Sequence, residues 1–399
     1  MQASKRIQSL DLLRGVAVLG ILVMNIQSFS MPMVAYINPT AYGDLNGLNR
    51  WVWILSHILA SQKFMSIFSM LFGAGVWIFT RNATARGLNS AALHYRRMLW
   101  LVVFGLLHGY LLWYGDILFT YALCGMLLYL FRNLSARKLI WTGCVFFLVP
   151  LIVNSLMVLS MPYWPEEALR TTMESWKMDP ALLQHYLEAY RGNWMEQMKV
   201  RIPAALFMQT RWFFMQAFWR VLSMMLLGMA LFKGEILSAG RSHRWYVKLV
   251  LAGLVPGILL STAGVVLNFR KQWSMEYSMF LGTQFNYVGS VGTALGYVGL
   301  VMLVSKSSSL KGIRQVISGV GRMAFSNYIL MTLIATYVFY GHGFGLFGKV
   351  ERTYQALLVA GIWILILIFS SLWLNRLRMG PLEALWRRLT YGRWPPLKK

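Results

Sequence analysis

Acidic residues are what this chain most lacks. It holds 13 aspartates and glutamates in 399 residues, and all charged types together make up 13%. A water-soluble chain carries about 25% charged residues, so there is too little charge here to cover a water-facing surface. Cysteine is scarce as well. Cys124 and Cys144 both fall inside apolar segments, which excludes a disulfide framework and a zinc ribbon. No paired-histidine motif, Gly-rich phosphate loop or His-x-x-x-x-Asp signature occurs, so no metal is expected. The ladder of buried acids that proton-driven transporters often carry is also missing.

What is present is apolar. Hydrophobic residues make up 57% of the chain, in runs near the roughly 20 residues that cross a bilayer. The basic residues sit at the edges of these runs rather than in one interleaved stripe. That is the topogenic pattern of a membrane protein, so the formal net charge of +25 is not read as nucleic-acid binding. The fold expected is all-α, a polytopic membrane bundle of about ten transmembrane helices. Their spans are 12–31, 51–79, 98–114, 116–131, 138–161, 206–232, 246–268, 279–304, 322–341 and 355–377. Lys5 and Arg6 ahead of the first run look superficially like a secretory signal. The lack of a small-x-small cleavage site, with Asp11 and Arg14 at its start, makes it a retained first helix.

Loop charge sets the expected orientation. One set of alternate loops carries Lys5 and Arg6, then Arg81, Arg86, Arg96 and Arg97, then Arg132, Arg137 and Lys138. It continues with Lys233, Arg241, Arg244, Lys248, Lys306, Lys311, Arg314 and the tail from Arg376. The other set holds most of the acids: Asp44, Glu166, Glu167, Glu174, Asp179, Glu188, Glu196, Glu276 and Glu351. The positive-inside bias then places both termini in the cytoplasm. The chain reads as one integral membrane domain, in which 162–205 is an extracytoplasmic segment of one or two interfacial helices, either a lid or a connector. It separates two five-helix portions, 1–161 and 206–399, that show no residue-level repeat.

Polar groups inside the apolar runs are costly and mark candidate sites. Asp11 and Arg14 stand three apart at the mouth of the first helix, on one face, where they can pair. They read either as a cap with an interfacial anchor or as groups facing an anionic ligand. His108 precedes Asp116 across a hairpin at Gly115, and a carboxylate beside a histidine fixes its tautomer and makes it a general base. His57 is a competing base, and Lys63, well inside the second span, must pair or face a cavity. Arg211 and Arg220, nine apart, are expected on nearly the same side of the sixth helix. Arg322 is an anchor or a ligand group; Asn327 and Tyr328 follow it on the ninth helix. The glycines 282, 289, 292, 296 and 299 read as a close-packing face.

The opening Arg6-Ile7-Gln8-Ser9-Leu10-Asp11-Leu12-Leu13-Arg14-Gly15 resembles the start of the YeiB-like bacterial membrane proteins, a family of unknown function. The resemblance runs along nearly the whole chain, through Lys63-Phe64, Phe68 to Gly73, and Leu107-His108 with Gly115 to Leu118. It continues through Gly321 to Tyr328 and Gly380 to Arg387. The Asp-x-x-Arg-Gly motif is also similar to that of heparan-alpha-glucosaminide N-acetyltransferase and other transmembrane acyltransferases, which move an acyl group from cytoplasmic acyl-CoA to a sugar amine or hydroxyl. The resemblance implies a bacterial inner-membrane protein with Asp11 and Arg14 near the acyl-CoA entry and a membrane-embedded histidine as base. In the heparan enzyme that histidine follows the first helix on the non-cytoplasmic side. Residues 31–50 here hold none, so the role falls to His108 or His57, or the chemistry has been lost.

The expectation is a transmembrane acyltransferase. His108, Asp116 and Lys63 are its candidate catalytic residues, and Asp11, Arg14 and Arg322 hold acyl-CoA (acetyl-CoA). His57, Asn327, Tyr328, Arg211 and Arg220 line the acceptor side. In this scheme Lys63 or Asn327 supports the thioester oxyanion. Its expected partners are membrane lipid and a small-molecule or lipid-linked acceptor, with room left for a homo-oligomer. A transporter of a small anionic or lipid-linked solute, using the same charges without covalent chemistry, is the alternative, and a non-catalytic membrane scaffold is a third.

Overall fold

The computed structural model describes residues 7–398, so Lys5 and Arg6 of the basic N-terminal flank lie outside the described residues. The chain begins with α1 (Gln8–Ser30), α2 (Met33–Ile37), α3 (Gly47–Leu59), α4 (Lys63–Ala85) and α5 (Ser90–Leu107). A π-helical turn (His108–Leu112) leads to α6 (Leu118–Leu128), α7 (Ala136–Ser160), α8 (Glu166–Lys177) and α9 (Pro180–Arg191). Next come α10 (Trp194–Phe207), a π-helical stretch (Met208–Ala217), α11 (Phe218–Lys233), α12 (His243–Arg270) and α13 (Met275–Tyr277). The last are α14 (Thr283–Lys306), α15 (Lys311–Arg322), α16 (Ala324–Phe339), α17 (Arg352–Arg376) and α18 (Pro381–Tyr391). Among the described residues the only β pairing is an isolated Leu377–Lys398 bridge.

This is an all-helical membrane bundle. Among the described residues seven helical stretches are long and apolar enough to cross a bilayer, and two shorter apolar helices, Leu118–Phe131 and Ala324–Phe339, accompany them. Large apolar side chains such as Leu357, Leu259 and Val145 stay exposed along the outer helices. That is the surface lipid would cover, since lipid removes the penalty water would impose. The centre is packed around α1, α4, α11 and α16. Gly289, Gly292 and Gly296 on α14 face Gly253 and Gly257 on α12, and the two backbones touch along that stripe.

Three details differ from the expectation. The span 51–79 is not one helix: the chain breaks at Gln62, in the left-handed region at φ 66°, so Lys63 opens a new helix. Residues 194–205 do not form a separate helix of the 162–205 segment: they run on without a break as one helical path from Trp194 to Lys233. Arg211 and Arg220 do not share a side. Nine residues at 3.6 per turn are two and a half turns, so even a regular helix sets the two on opposite faces; Arg211 is exposed and Arg220 buried.

Candidate functional site

His108 is the first residue of the π-helical turn that ends α5, and the Trp113 amide closes the turn on the His108 carbonyl at 2.9 Å. π turns concentrate at functional positions because they displace one side chain from the regular helical face. The His108 ring is aimed inward between α6 and α16, 2% exposed. Its Nδ1 lies 2.8 Å from Asp116 Oδ1, and Asp116 Oδ2 accepts the Phe119 amide at 2.8 Å, capping α6. Both side chains are only 1% exposed. Since Asp116 accepts, Nδ1 carries the proton and Nε2 is left with a free lone pair. Opposite Nε2, at 3.0 Å, is the hydroxyl of Thr332. One turn earlier on α16, the Tyr328 ring sits 5.0 Å from the imidazole, centroid to centroid.

Tyr328 also closes the inner end of a cavity of about 640 Å³. The cavity follows α4 from Phe68 to Arg86, about 27 Å at 1.5 Å rise per residue. Its depth is lined by Phe68, Phe72, Tyr121, Leu118 and Phe325, and its mouth by Arg14, Arg86, Arg97, Arg322 and Arg387. Arg97 is held there by stacking over Trp386 at 4.2 Å. The site is thus a long apolar slot with five guanidinium groups at its basic end and an imidazole behind its far wall.

The sequence motifs meet around this slot. Arg14 Nη1 donates to Asp11 Oδ1 at 3.1 Å. Gly15 and Gly321 let α1 and α15 approach: a Cβ on Gly321 would lie 1.9 Å from the Asp11 carbonyl oxygen. From the C-terminal helix, Glu383 accepts the Phe325 and Ser326 amides at 2.7 and 3.2 Å and the Ser326 hydroxyl at 2.5 Å. The Gly-Pro-Leu-Glu motif therefore caps α16, the helix carrying Tyr328 and Thr332. Burial raises the Glu383 carboxyl above the ordinary range, against the pull of those hydrogen bonds.

The remaining candidates are dispersed. Lys63 is fully buried at the α3–α4 break, donating to the His57 carbonyl at 3.0 Å, to Ser261 at 3.4 Å and to Asn286. Arg220 donates to the Tyr287 carbonyl, Ser66 and Ser290 at 3.0, 2.9 and 2.6 Å. None of the contacts of these two cations reaches His108. His57 stacks on Trp53, and Asn327 turns away from Tyr328 to bond Ser370 and the Val320 carbonyl. Reading the sequence missed Thr332 and the mouth groups Arg86, Arg97 and Arg387. The only local signal for Thr332 is its place one helical turn beyond Tyr328, and for the arginines it is their position at helix ends.

Over 392 residues the chain is 32% identical to the uncharacterized protein YeiB of Escherichia coli K12, covering 96% of this chain and 95% of that one. The chain belongs to the YeiB family. It is also 31% identical to the uncharacterized protein YxaH of Bacillus subtilis 168 over 418 residues, which covers 99% and 97% of the two chains. An uncharacterized 39.9 kDa protein of Bacillus acidopullulyticus matches at 27% over 98% of this chain and 96% of its own. The family model described as a protein of unknown function, DUF418, matches residues 231–393, a stretch that in this YeiB-family chain includes Thr332, Tyr328 and Glu383 but not His108. No solved structure matches the chain.

Proposed function

We propose that this YeiB-family protein is a multi-pass acyltransferase of the bacterial inner membrane, drawing its acyl group from acyl-CoA on the cytoplasmic, basic face. The observation that supports this most is a basic-mouthed apolar slot whose inner wall residue, Tyr328, packs against a buried His–Asp pair. Such a slot suits a ligand that is polyanionic at one end and slender and apolar at the other, with its reactive carbon at the tip. Arg14, held by Asp11, together with Arg322 and the other three mouth arginines, would receive the nucleotide phosphates. The thioester would lie at Tyr328, whose hydroxyl we assign to the developing oxyanion in place of Lys63 or Asn327.

The chemistry asked of His108 is proton transfer. Asp116 holds Nδ1–H, so Nε2 takes a proton from an attacking hydroxyl or amine and returns it to the departing thiolate, releasing free CoA. Detergent-purified protein should bind acetyl-CoA and hydrolyse it slowly without an acceptor, and His108→Ala should lose hydrolysis by roughly 10²–10⁴-fold while keeping binding. If the protein neither binds nor hydrolyses acetyl-CoA, the acyltransferase reading is wrong. A transporter of a small anionic solute is favoured by one observation: Lys63 and Arg220 are buried with no carboxylate partner among the described residues. Substrate flux in proteoliposomes without acyl-CoA would select it.

A further inference from the structure

Thr332 is buried, 1% exposed, and its hydroxyl has two neighbours that could take its single proton. A threonine inside a helix ordinarily bonds the carbonyl four residues back. Here that carbonyl, of Tyr328, is at 3.3 Å, whereas His108 Nε2 is at 3.0 Å. Asp116 accepts the Nδ1 proton, which leaves Nε2 as an acceptor, so the Thr332 hydroxyl donates to it. Hydroxyl, imidazole and carboxylate thus stand in series at 3.0 and 2.8 Å. That is the geometry in which a hydroxyl is activated as a nucleophile.

Position makes the arrangement more specific. On α16, Tyr328 faces the slot that opens at the basic end. Beyond Thr332, Leu333 and Thr336 line a second, open cavity of about 670 Å³ with Leu111, Leu112, Trp194 and His342, at the end of the bundle that bears the acidic loops. Thr332 itself lines neither cavity: its buried hydroxyl lies one helical turn from Tyr328, which lines the slot, and one turn from Thr336, which lines the second cavity.

We propose that Thr332 is the nucleophile of a Thr332–His108–Asp116 triad and carries the acyl group as an ester between the two cavities. In the first step Thr332 Oγ1 attacks the thioester carbon and its proton passes to His108 Nε2. The C–S bond then breaks, and the thiolate takes that proton and leaves as CoA thiol. In the second step an acceptor hydroxyl entering from the opposite cavity gives its proton to Nε2 and attacks the ester carbon. The bond to Oγ1 breaks and Thr332 recovers the proton. A covalent relay lets donor and acceptor act from opposite faces without meeting. The assignment rests on the acyl-transfer reading.

The test is to incubate the full-length purified protein with acetyl-CoA and no acceptor, quench it in acid, and map the acetylated peptide by mass spectrometry. One acetyl group is expected on the peptide holding Thr332, stable to neutral hydroxylamine and released by alkaline hydroxylamine, as an oxygen ester is. His108→Ala and Thr332→Val should abolish it and Thr332→Ser should restore it. Thr332→Val, matched in shape and checked for an unchanged elution profile and melting curve, should lose at least about a hundredfold in acetyl-CoA turnover. Turnover by Thr332→Val within about twofold of the parent, or an acetyl group on His108 instead, overturns the nucleophile while leaving acyl transfer standing. Absence of any acetyl-CoA binding or turnover in the parent overturns both.

Discussion

The contact of α1 with α15 offers the most direct test of how the donor mouth is built. In Gly321→Ala the new Cβ would lie 1.9 Å from the Asp11 carbonyl oxygen and 2.7 Å from the Gly15 nitrogen. A carbon–oxygen contact ordinarily lies at about 3.3 Å or more, so the two helices must separate by over about 1 Å. Both obstructing atoms are backbone, so no rotamer change relieves the clash. Overpacking of this kind costs about 1–3 kcal/mol, and replacing a helical glycine returns up to about 1 kcal/mol. A net loss near 1–2 kcal/mol is therefore expected. Two residues away, a Cβ on Gly319 meets only the tip of Leu374, at 3.6 Å. Gly319→Ala should keep the propensity gain, about 0.5–1 kcal/mol, with no clash. Thermal unfolding of both variants in one detergent, followed by tryptophan fluorescence, should move the midpoint down for Gly321→Ala and level or up for Gly319→Ala. Acetyl-CoA affinity should fall only in the first, because Asp11, Arg14 and Arg322 flank that contact. Equal shifts in the two variants would refute the packing argument.

Two further outcomes follow from the same geometry. Single Gln replacements at Arg86 or Arg387 should weaken acetyl-CoA binding by up to about fivefold, as expected for partly solvated ion pairs. Raising the ionic strength should shrink that difference; calorimetric titration at two salt concentrations measures both. Glu383, whose carboxyl is raised by burial, binds its proton more readily folded than unfolded. Stability should therefore fall as pH rises from the ordinary carboxylate range through the folded value. Glu383→Gln keeps one acceptor for the two α16 amides, so its unfolding midpoint should be flatter across that range, which a pH series of thermal melts would show.

How much of the site was legible in advance varied with the range of the interaction. The pairing of Asp11 with Arg14 could be read from three-residue spacing on a helix, and the approach of Asp116 to His108 from an eight-residue hairpin, because both are local. The grouping of Lys63 with His108 had no such basis. Lys63 sits at a helix break whose left-handed residue, Gln62, is neither glycine nor asparagine, so no turn signal announced it. Arg211 and Arg220, by contrast, part on plain helical spacing: nine residues are two and a half turns, so a regular helix already puts them on opposite faces, one exposed and one buried.

The sequence by itself determined the solvent. A chain with 13% charged residues and bilayer-length apolar runs can bury its backbone polar groups in lipid only as helices. Loop charge added an expected orientation. Tertiary structure alone decided which polar groups meet. Thr332 lies 224 positions from His108, and Glu383 lies 57 from Ser326. Nothing in a helical period relates residues so far apart, because their contact depends on which faces of α5, α16 and α18 pack together. The slot between α4 and those helices is a property of that packing as well.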